Sequence, residues 1–175
     1  ARNYGLYIIE TLKLACLLEE GQSEFLVKMH DVIRDMALWI ARDCGMKKNR
    51  ILSQEHFTSR EKHGSVAEWP EVERVSLWGD DGKLLKSAQY PSLITYLIRG
   101  TSFTRFSSEF FEFLATIRVL DLSENERLLE LPDAIGSLTT LEYLNLSKTQ
   151  LKTLPEGLKN LRGLRYLLLE FMTSL

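Results

Sequence analysis

Cysteine and proline are scarce, two and four among 175 residues. Cys16 and Cys44 lie within apolar helical patterns, so no disulfide framework is expected and a reducing, intracellular setting fits. Neither sign of charge prevails. With 22 Lys and Arg against 24 Asp and Glu, the formal net charge is −2 and the pI is near 6.0. A general binder of nucleic acid or of anionic membranes needs a basic field, which is lacking. Long apolar runs are absent too: the longest, Met36 to Ala41, falls far short of the roughly 20 residues that span a bilayer. Nor do Ala1-Arg2-Asn3 lead into the apolar core of a signal peptide. An apolar content of 45% with 26% charge excludes disordered, collagen-like and mucin-like chains. The missing initiator Met, and an ending just after a leucine-rich stretch, are expected of a fragment.

What is plentiful is leucine, and it is unevenly spread: 11 in residues 1–87 and 21 in residues 88–175. From residue 72 a unit of the form L-x-x-L-x-L recurs. It reads Val72/Val75/Leu77, Leu93/Tyr96/Ile98, Ile117/Leu120/Leu122, Leu141/Leu144/Leu146 and Leu164/Leu167/Leu169. The starts are 21, 24, 24 and 23 residues apart, within the range of leucine-rich repeats. Pro132 and Pro155 keep the same register, 23 residues apart. The asparagine usual in such units survives as Asn125, with Asp80, Thr101, Thr149 and Met172 in its place elsewhere. The first two units are therefore degenerate. One unit cannot bury its own leucines, so the units are expected to stack into a solenoid with a parallel sheet on its concave face.

Strand alternation then assigns the outward side chains. Three rows should cross the concave face. The first is Arg74, Thr95, Val119, Tyr143 and Tyr166; the second Ser76, Leu97, Asp121, Asn145 and Leu168; the third Trp78, Arg99, Ser123, Ser147 and Glu170. Apolar and aromatic members of these rows have no core to fill. Trp78, Leu97, Val119, Tyr143, Tyr166 and Leu168 are thus candidate protein contacts, against the plainer reading of scattered exposed apolar side chains. Phe103, Phe106, Phe110, Phe111 and Phe113 are expected to pack the convex side. Leu164 to Leu169 should form an uncovered terminal strand, leaving an isolated chain poorly soluble or incompletely folded there.

The N-terminal third follows another rule. Ile8, Ile9, Leu12, Ala15 and Cys16 make one helical stripe, predicting a helix over residues 6–18 closed by Gly21 at C′. A turn over Gly21 to Glu24 and a short strand over Phe25 to Met29 follow. A second helix starts after Asp31, with Val32, Ile33, Met36, Ala37 and Ile40 on its buried side. Helix, strand, helix is compatible with part of a winged-helix domain. Asp31 stands where an N-cap belongs, its carboxylate suited to the orphan N–H groups and positive end of a helix; Met29 then reads as core and His30 as its neighbour.

The string Val27-Lys28-Met29-His30-Asp31-Val32-Ile33-Arg34-Asp35-Met36-Ala37 carries more. Met29-His30-Asp31 at a strand-to-helix junction resembles the MHD motif of plant intracellular nucleotide-binding, leucine-rich-repeat disease-resistance proteins. The flanks Ala15-Cys16-Leu17-Leu18-Glu19 and Asp35-Met36-Ala37-Leu38-Trp39-Ile40-Ala41 look like the class with an N-terminal coiled coil. The resemblance implies that His30 senses the β-phosphate of ADP and that Asp31 caps the helix that orients it. By the same resemblance, residues 1–65 are the C-terminal part of the winged-helix domain with its connector, and residues 66–175 the first leucine-rich repeats, about five units. The fold class is α/β, an α+β winged-helix part followed by a parallel-sheet solenoid.

No phosphate cradle accompanies the sensor. Walker A needs G-x-x-x-x-G-K-[ST], and Gly82-Lys83 is followed by Leu84, with Leu77 at the first glycine position. The chain is expected to bind no nucleotide by itself and to be no enzyme. Residues 45–65 read as a polar connector; its Lys47, Lys48, Arg50, Arg60 and Lys62 are offset by Glu55, Glu61 and Glu68, so no nucleic-acid partner is expected. His56 and His63 lack Cys or His partners at metal-ligand spacing.

The parent receptor, as the resemblance implies, is held inactive by ADP and exchanges it for ATP, then forms homo-oligomers that signal defence and cell death. Its partners would be its own nucleotide-binding domain and a pathogen effector or guarded host protein. Its place would be the cytoplasm, or the plasma membrane through regions outside this chain. A repeat scaffold that binds a protein partner without nucleotide is the alternative.

Overall fold

The helix that opens the chain, α1 (Arg2–Leu14), stops four residues short of the expected Leu18 in the computed structural model. Its terminator is Cys16, which takes the left-handed conformation with φ of 56°. The Cys16 N–H donates to Lys13 O at 2.9 Å and the Leu17 N–H to Leu12 O at 2.9 Å. These are the two closing bonds of a Schellman motif, with a cysteine where glycine is usual. Cys16 is consequently exposed and free, not part of a buried stripe. Released from the helix, Glu19–Glu20 (β1) pairs antiparallel with Val27–Lys28 (β2), Glu19 opposite Lys28. Gly21 serves this hairpin rather than the helix end: its N–H donates to Leu26 O at 2.8 Å, and a Cβ there would come within 2.7 Å of Leu26 Cβ. Helix α2 (Asp31–Ala41) follows.

The structure describes residues 2–21, 26–29, 31–41, 51–55, 72–79 and 91–172. Two compact units divide the chain, Ala1–Lys47 and Lys48–Leu175. The second is built on a six-stranded parallel sheet in sequential order: β3 (Ile51–Glu55), β4 (Arg74–Trp78), β5 (Thr95–Arg99), β6 (Val119–Asp121), β7 (Tyr143–Asn145) and β8 (Tyr166–Leu168). The sheet thus begins inside the stretch that sequence assigns to the connector. Ile51 pairs with Arg74 and Glu55 with Trp78, in the same register as the later strands. Ile51-Leu52-Ser53-Gln54-Glu55 lacks the L-x-x-L-x-L spacing, and sheet pairing needs only an open edge with extended backbone. The basic residues named in the connector, His56 and His63, and Cys44 lie outside the described residues.

Behind the sheet the leucine columns close a continuous core. Val72, Val75 and Leu77, then Leu93, Tyr96 and Ile98, Ile117, Leu120 and Leu122, and Leu141, Leu144 and Leu146 are all buried. On the side opposite the strands, the repeats differ. The irregular unit supplies α3 (Ser108–Glu112) and an aromatic cluster in which Phe106 stacks on Phe110 at 4.8 Å and Phe110 meets Phe111 edge-on at 5.0 Å. Phe103 packs against this core, whereas Phe113 is exposed and fills nothing. The next two units use 3₁₀ helices, Asp133–Ser137 and Glu156–Asn160, each entered from a proline. These stack so closely that a Cβ on Gly136 would lie 2.5 Å from Gly157 O, and one on Gly157 would run into the Asp133 carbonyl.

Polar groups hold successive units in phase. Asn125 is fully buried; its amide donates to Ile98 O and Leu122 O, both at 2.8 Å, and its oxygen accepts from Thr101 N–H at 2.9 Å and Thr101 Oγ1 at 2.6 Å. Where threonine replaces asparagine, Thr149 Oγ1 still donates to Leu146 O at 2.8 Å. After each of the strands β4 to β8 the chain turns through one left-handed residue. These are Gly79, Gly100, Glu124, Lys148 and Phe171, at the repeat's own spacing. Only the first two are glycine, the residue that takes this conformation without a steric cost.

Candidate functional site

The concave sheet face is the surface on which chemistry-bearing side chains gather. Strand pairing aligns Arg74, Thr95, Val119, Tyr143 and Tyr166 in one row, and Ser76, Leu97, Asp121, Asn145 and Leu168 in the next. Trp78 lies opposite Arg99. Of the candidate contacts, Trp78 and Tyr166 are exposed, Tyr166 at 59%, while Leu97, Val119, Tyr143 and Leu168 are half-buried.

The centre of this face is polar and rigid. Asp121, Ser123 and Ser147 are buried despite pointing away from the leucine core. Asp121 Oδ1 accepts the Ser123 N–H at 2.9 Å, and Asn145 Oδ1 the Ser147 N–H at 3.0 Å. Both are local side-chain-to-backbone turns that end a strand. The other Asp121 oxygen takes the Arg99 guanidinium. Lys148 meets Glu124 at 2.6 Å across the left-handed turns. Hence the charges at the centre are already engaged.

The margins differ. Trp78 lies over Gly100, where a Cβ would come within 3.0 Å of the indole nitrogen; glycine there makes room for the ring. At the other side Tyr143 and Tyr166 face each other across β7 and β8, ring centroids 6.3 Å apart. Partial burial, and after it the Asp121 carboxylate, push the Tyr143 hydroxyl above the ordinary phenol value. Just before these rows Arg118, Glu142 and Arg165 follow one another on successive repeats. Glu142 lies 3.6 Å from Arg118 Nη1 and 3.9 Å from Arg165 Nε. Sequence reasoning passed over this trio, since period-two alternation directs attention to the strand residues and not to those that enter the strand.

The Met29-His30-Asp31 segment belongs to the first unit. The helix α2 begins at Asp31 itself, one residue earlier than expected, so Asp31 is its first helical residue rather than the flanking N-cap; His30 lies outside the described residues. Met29 is 38% exposed rather than core. It lines an open apolar groove of about 240 Å³ with Leu12, Leu17 and Leu18 from the α1 end and Ile33, Met36, Ala37 and Ile40 from α2. The α2 face expected to be buried is therefore groove wall: Ile33 is half-buried, while Met36, Ala37 and Ile40 are exposed, and Val32 points elsewhere. Two helices and a two-residue hairpin do not enclose the stripe. Among the described residues no group of His, Cys, Asp and Glu could hold a metal ion, and no helix is long and apolar enough to cross a membrane.

Residues 116–138 and 140–161 match the family model described as Leucine Rich Repeat. Disease resistance protein RPS5 of Arabidopsis thaliana is 41% identical over 175 residues, covering 99% of this chain and 20% of its own length. Disease resistance protein RFL1 of the same plant is 40% identical over 173 residues, 97% of this chain and 19% of its own. Over nearly its whole length the chain is thus similar to proteins named for disease resistance, and its later repeats to the leucine-rich-repeat model. It spans about a fifth of the length of the curated relatives it matches. Among solved structures, a leucine-rich-repeat protein of Leptospira interrogans superposes with a TM-score of 0.63 at 24% identity, over 74% of this chain and 34% of that one. Likeness at that identity concerns the fold. The α/β reading, with its parallel-sheet solenoid, thus agrees with the structure.

Proposed function

We propose that this chain is part of a plant defence receptor switched by ADP and ATP, with two tasks. The Met29-His30-Asp31 segment contributes a nucleotide sensor, His30 bonding the β-phosphate of ADP through an imidazole N–H and Asp31 fixing the start of α2. The concave rows of the early repeats contact the receptor's own nucleotide-binding domain and hold it closed. The observation that carries this reading is the similarity of 41% over 99% of the chain to a protein named for disease resistance. A resident nucleotide belongs to the whole receptor, whose phosphate loop lies elsewhere in the polypeptide, and this chain performs no catalysis. The receptor works in the cytoplasm.

Asp31→Val in the full-length receptor tests the sensor. Loss of the carboxylate at the start of α2 loosens His30, weakens ADP retention and raises defence signalling without pathogen; a variant that keeps its ADP and stays silent counts against the sensor role. Exchange of the concave rows tests the second task, and unchanged resting activity overturns it. A second reading, a repeat scaffold for a protein partner with no nucleotide dependence, draws on the family model matching the repeats. A receptor whose activity ignores nucleotide content would favour it.

A further inference from the structure

The later repeats are each entered through a residue that stands just before the first leucine position. Before Ile117 it is Thr116, whose Oγ1 donates to Leu93 O at 3.0 Å and lies 3.2 Å from Pro91 O. Before Leu141 it is Thr140, whose Oγ1 donates to Ile117 O at 2.7 Å, with Ala115 O at 3.2 Å. One hydroxyl thus clips the start of a repeat to the start of the one before it, 23 residues back. Before Leu164 the same position holds Gly163. The acceptors are still in place: a Cβ on Gly163 would lie 3.3 Å from Thr139 O and 3.4 Å from Leu141 O. Glycine brings them no hydroxyl.

A second clip lapses at the same junction. Asn125 reaches back to Ile98 O and to Thr101 of the preceding repeat. Met172 stands in the equivalent place two repeats later, and a thioether has no hydrogen to donate. The bonds that remain between β7 and β8 are unevenly placed. At the entry end, the Arg165 and Tyr166 N–H groups share one acceptor, Glu142 O, at 2.8 and 3.1 Å. At the exit end, Leu146 N–H donates to Leu168 O and Lys148 N–H to Glu170 O, both at 2.9 Å. There the Glu170 N–H also donates to Ser147 Oγ at 3.1 Å. The Tyr143–Tyr166 pair spans the junction at its weakly held end.

We propose that the β7–β8 junction is a hinge built into the solenoid, with Gly163 as the open clip. The entry end of β8 swings away from β7 while the exit end stays fastened through Glu170 and Ser147. This motion changes the gap between Tyr143 and Tyr166, so the concave face adjusts its curvature at this junction and stays fixed at the two before it. The hinge is a property of the repeats themselves and depends neither on nucleotide nor on what covers the face.

Hydrogen exchange in the full-length receptor, resolved to single amides, reads the opening of each junction separately. The Arg165 and Tyr166 amides should exchange about fivefold faster than those of Glu142 and Tyr143, the worth of about one net hydrogen bond. G163T should slow them about fivefold. G163A restricts the backbone without adding a donor and should slow them only about twofold. T140V removes the hydroxyl at the preceding junction and should speed exchange at Glu142 and Tyr143 about fivefold. The Glu170 amide should not change in any variant. Equal exchange at the two junctions of the native receptor overturns the proposal, and so does G163A protecting as well as G163T. A Glu170 amide that opens together with Arg165 means that the whole strand detaches, which also overturns the hinge. Should G163T fail to fold, T140V still decides: unchanged exchange at Glu142 and Tyr143 removes the clip's role, and the hinge with it.

Discussion

Helices α1 and α2 carry apolar stripes at regular helical spacing, yet among the described residues of the first unit no apolar side chain is buried. In the second unit Leu93, Ile117, Leu120, Leu141 and Leu144 are fully buried. The patterns are similar in quality; what differs is who supplies the other wall. A repeat is covered on both flanks by copies of itself, so a sequence of repeats closes its own core. Among the described residues of the first unit, the end of α1 and the α2 stripe instead line an open groove. The same rule operates within the solenoid. Leu120 and Leu144, with a strand on either side, are fully buried, whereas Leu167 on the edge strand β8 is 41% exposed.

That contrast can be broken by matched truncations. Leu120→Ala removes a side chain packed on all sides and should cost about 4 kcal/mol in urea unfolding of the second unit. Leu12→Ala, on the groove wall, should cost about 1 kcal/mol. Equal losses would mean that the groove is as well packed as the core. Next in size is Asn125→Ala, which strands two carbonyls and the Thr101 N–H and should cost about 3 kcal/mol. Asn125→Thr should recover part of this, because Thr149 already serves one repeat that way; hydrogen exchange at Thr101 would report it. Gly157→Ala should cost about 2 kcal/mol by forcing the two 3₁₀ helices apart, seen as a lower unfolding midpoint with the strands intact. The smallest effect favours the first unit. Cys16→Gly should stabilise α1 by about 0.5–1 kcal/mol, since glycine takes the left-handed C′ position without strain; a loss of helicity by circular dichroism would contradict the Schellman ending.

Much of the solenoid was legible because its rule is a repeated one. The leucine columns, the alternation that defines the concave rows and the aromatic packing around Phe106, Phe110 and Phe111 follow from spacing. Phe113 did not follow, because at the end of a five-residue helix its direction depends on how the chain turns away. Strand β3 was hidden for the opposite reason: its five residues carry no leucine column, and pairing comes from the edge that β4 offers. In the first unit the end of α1 was misplaced because Gly21 is an obvious terminator, while a cysteine in the left-handed region leaves no trace in composition. Gly79 and Gly100 hinted at the column of left-handed turns, but Glu124, Lys148 and Phe171 disguised its continuation.

The scarcities noted in the sequence, of cysteine, of net charge and of long apolar runs, fixed its class, and the leucine period fixed its architecture. Each depends on composition or on nearest neighbours, which a linear chain states openly. Only the tertiary structure decided which charges are engaged and which are left over. Arg99 and Asp121 are 22 residues apart, and Arg118, Glu142 and Arg165 come from three successive repeats. Their pairing depends on how those repeats stack. A side chain's partner across that distance is a property of packing, and no local pattern carries it.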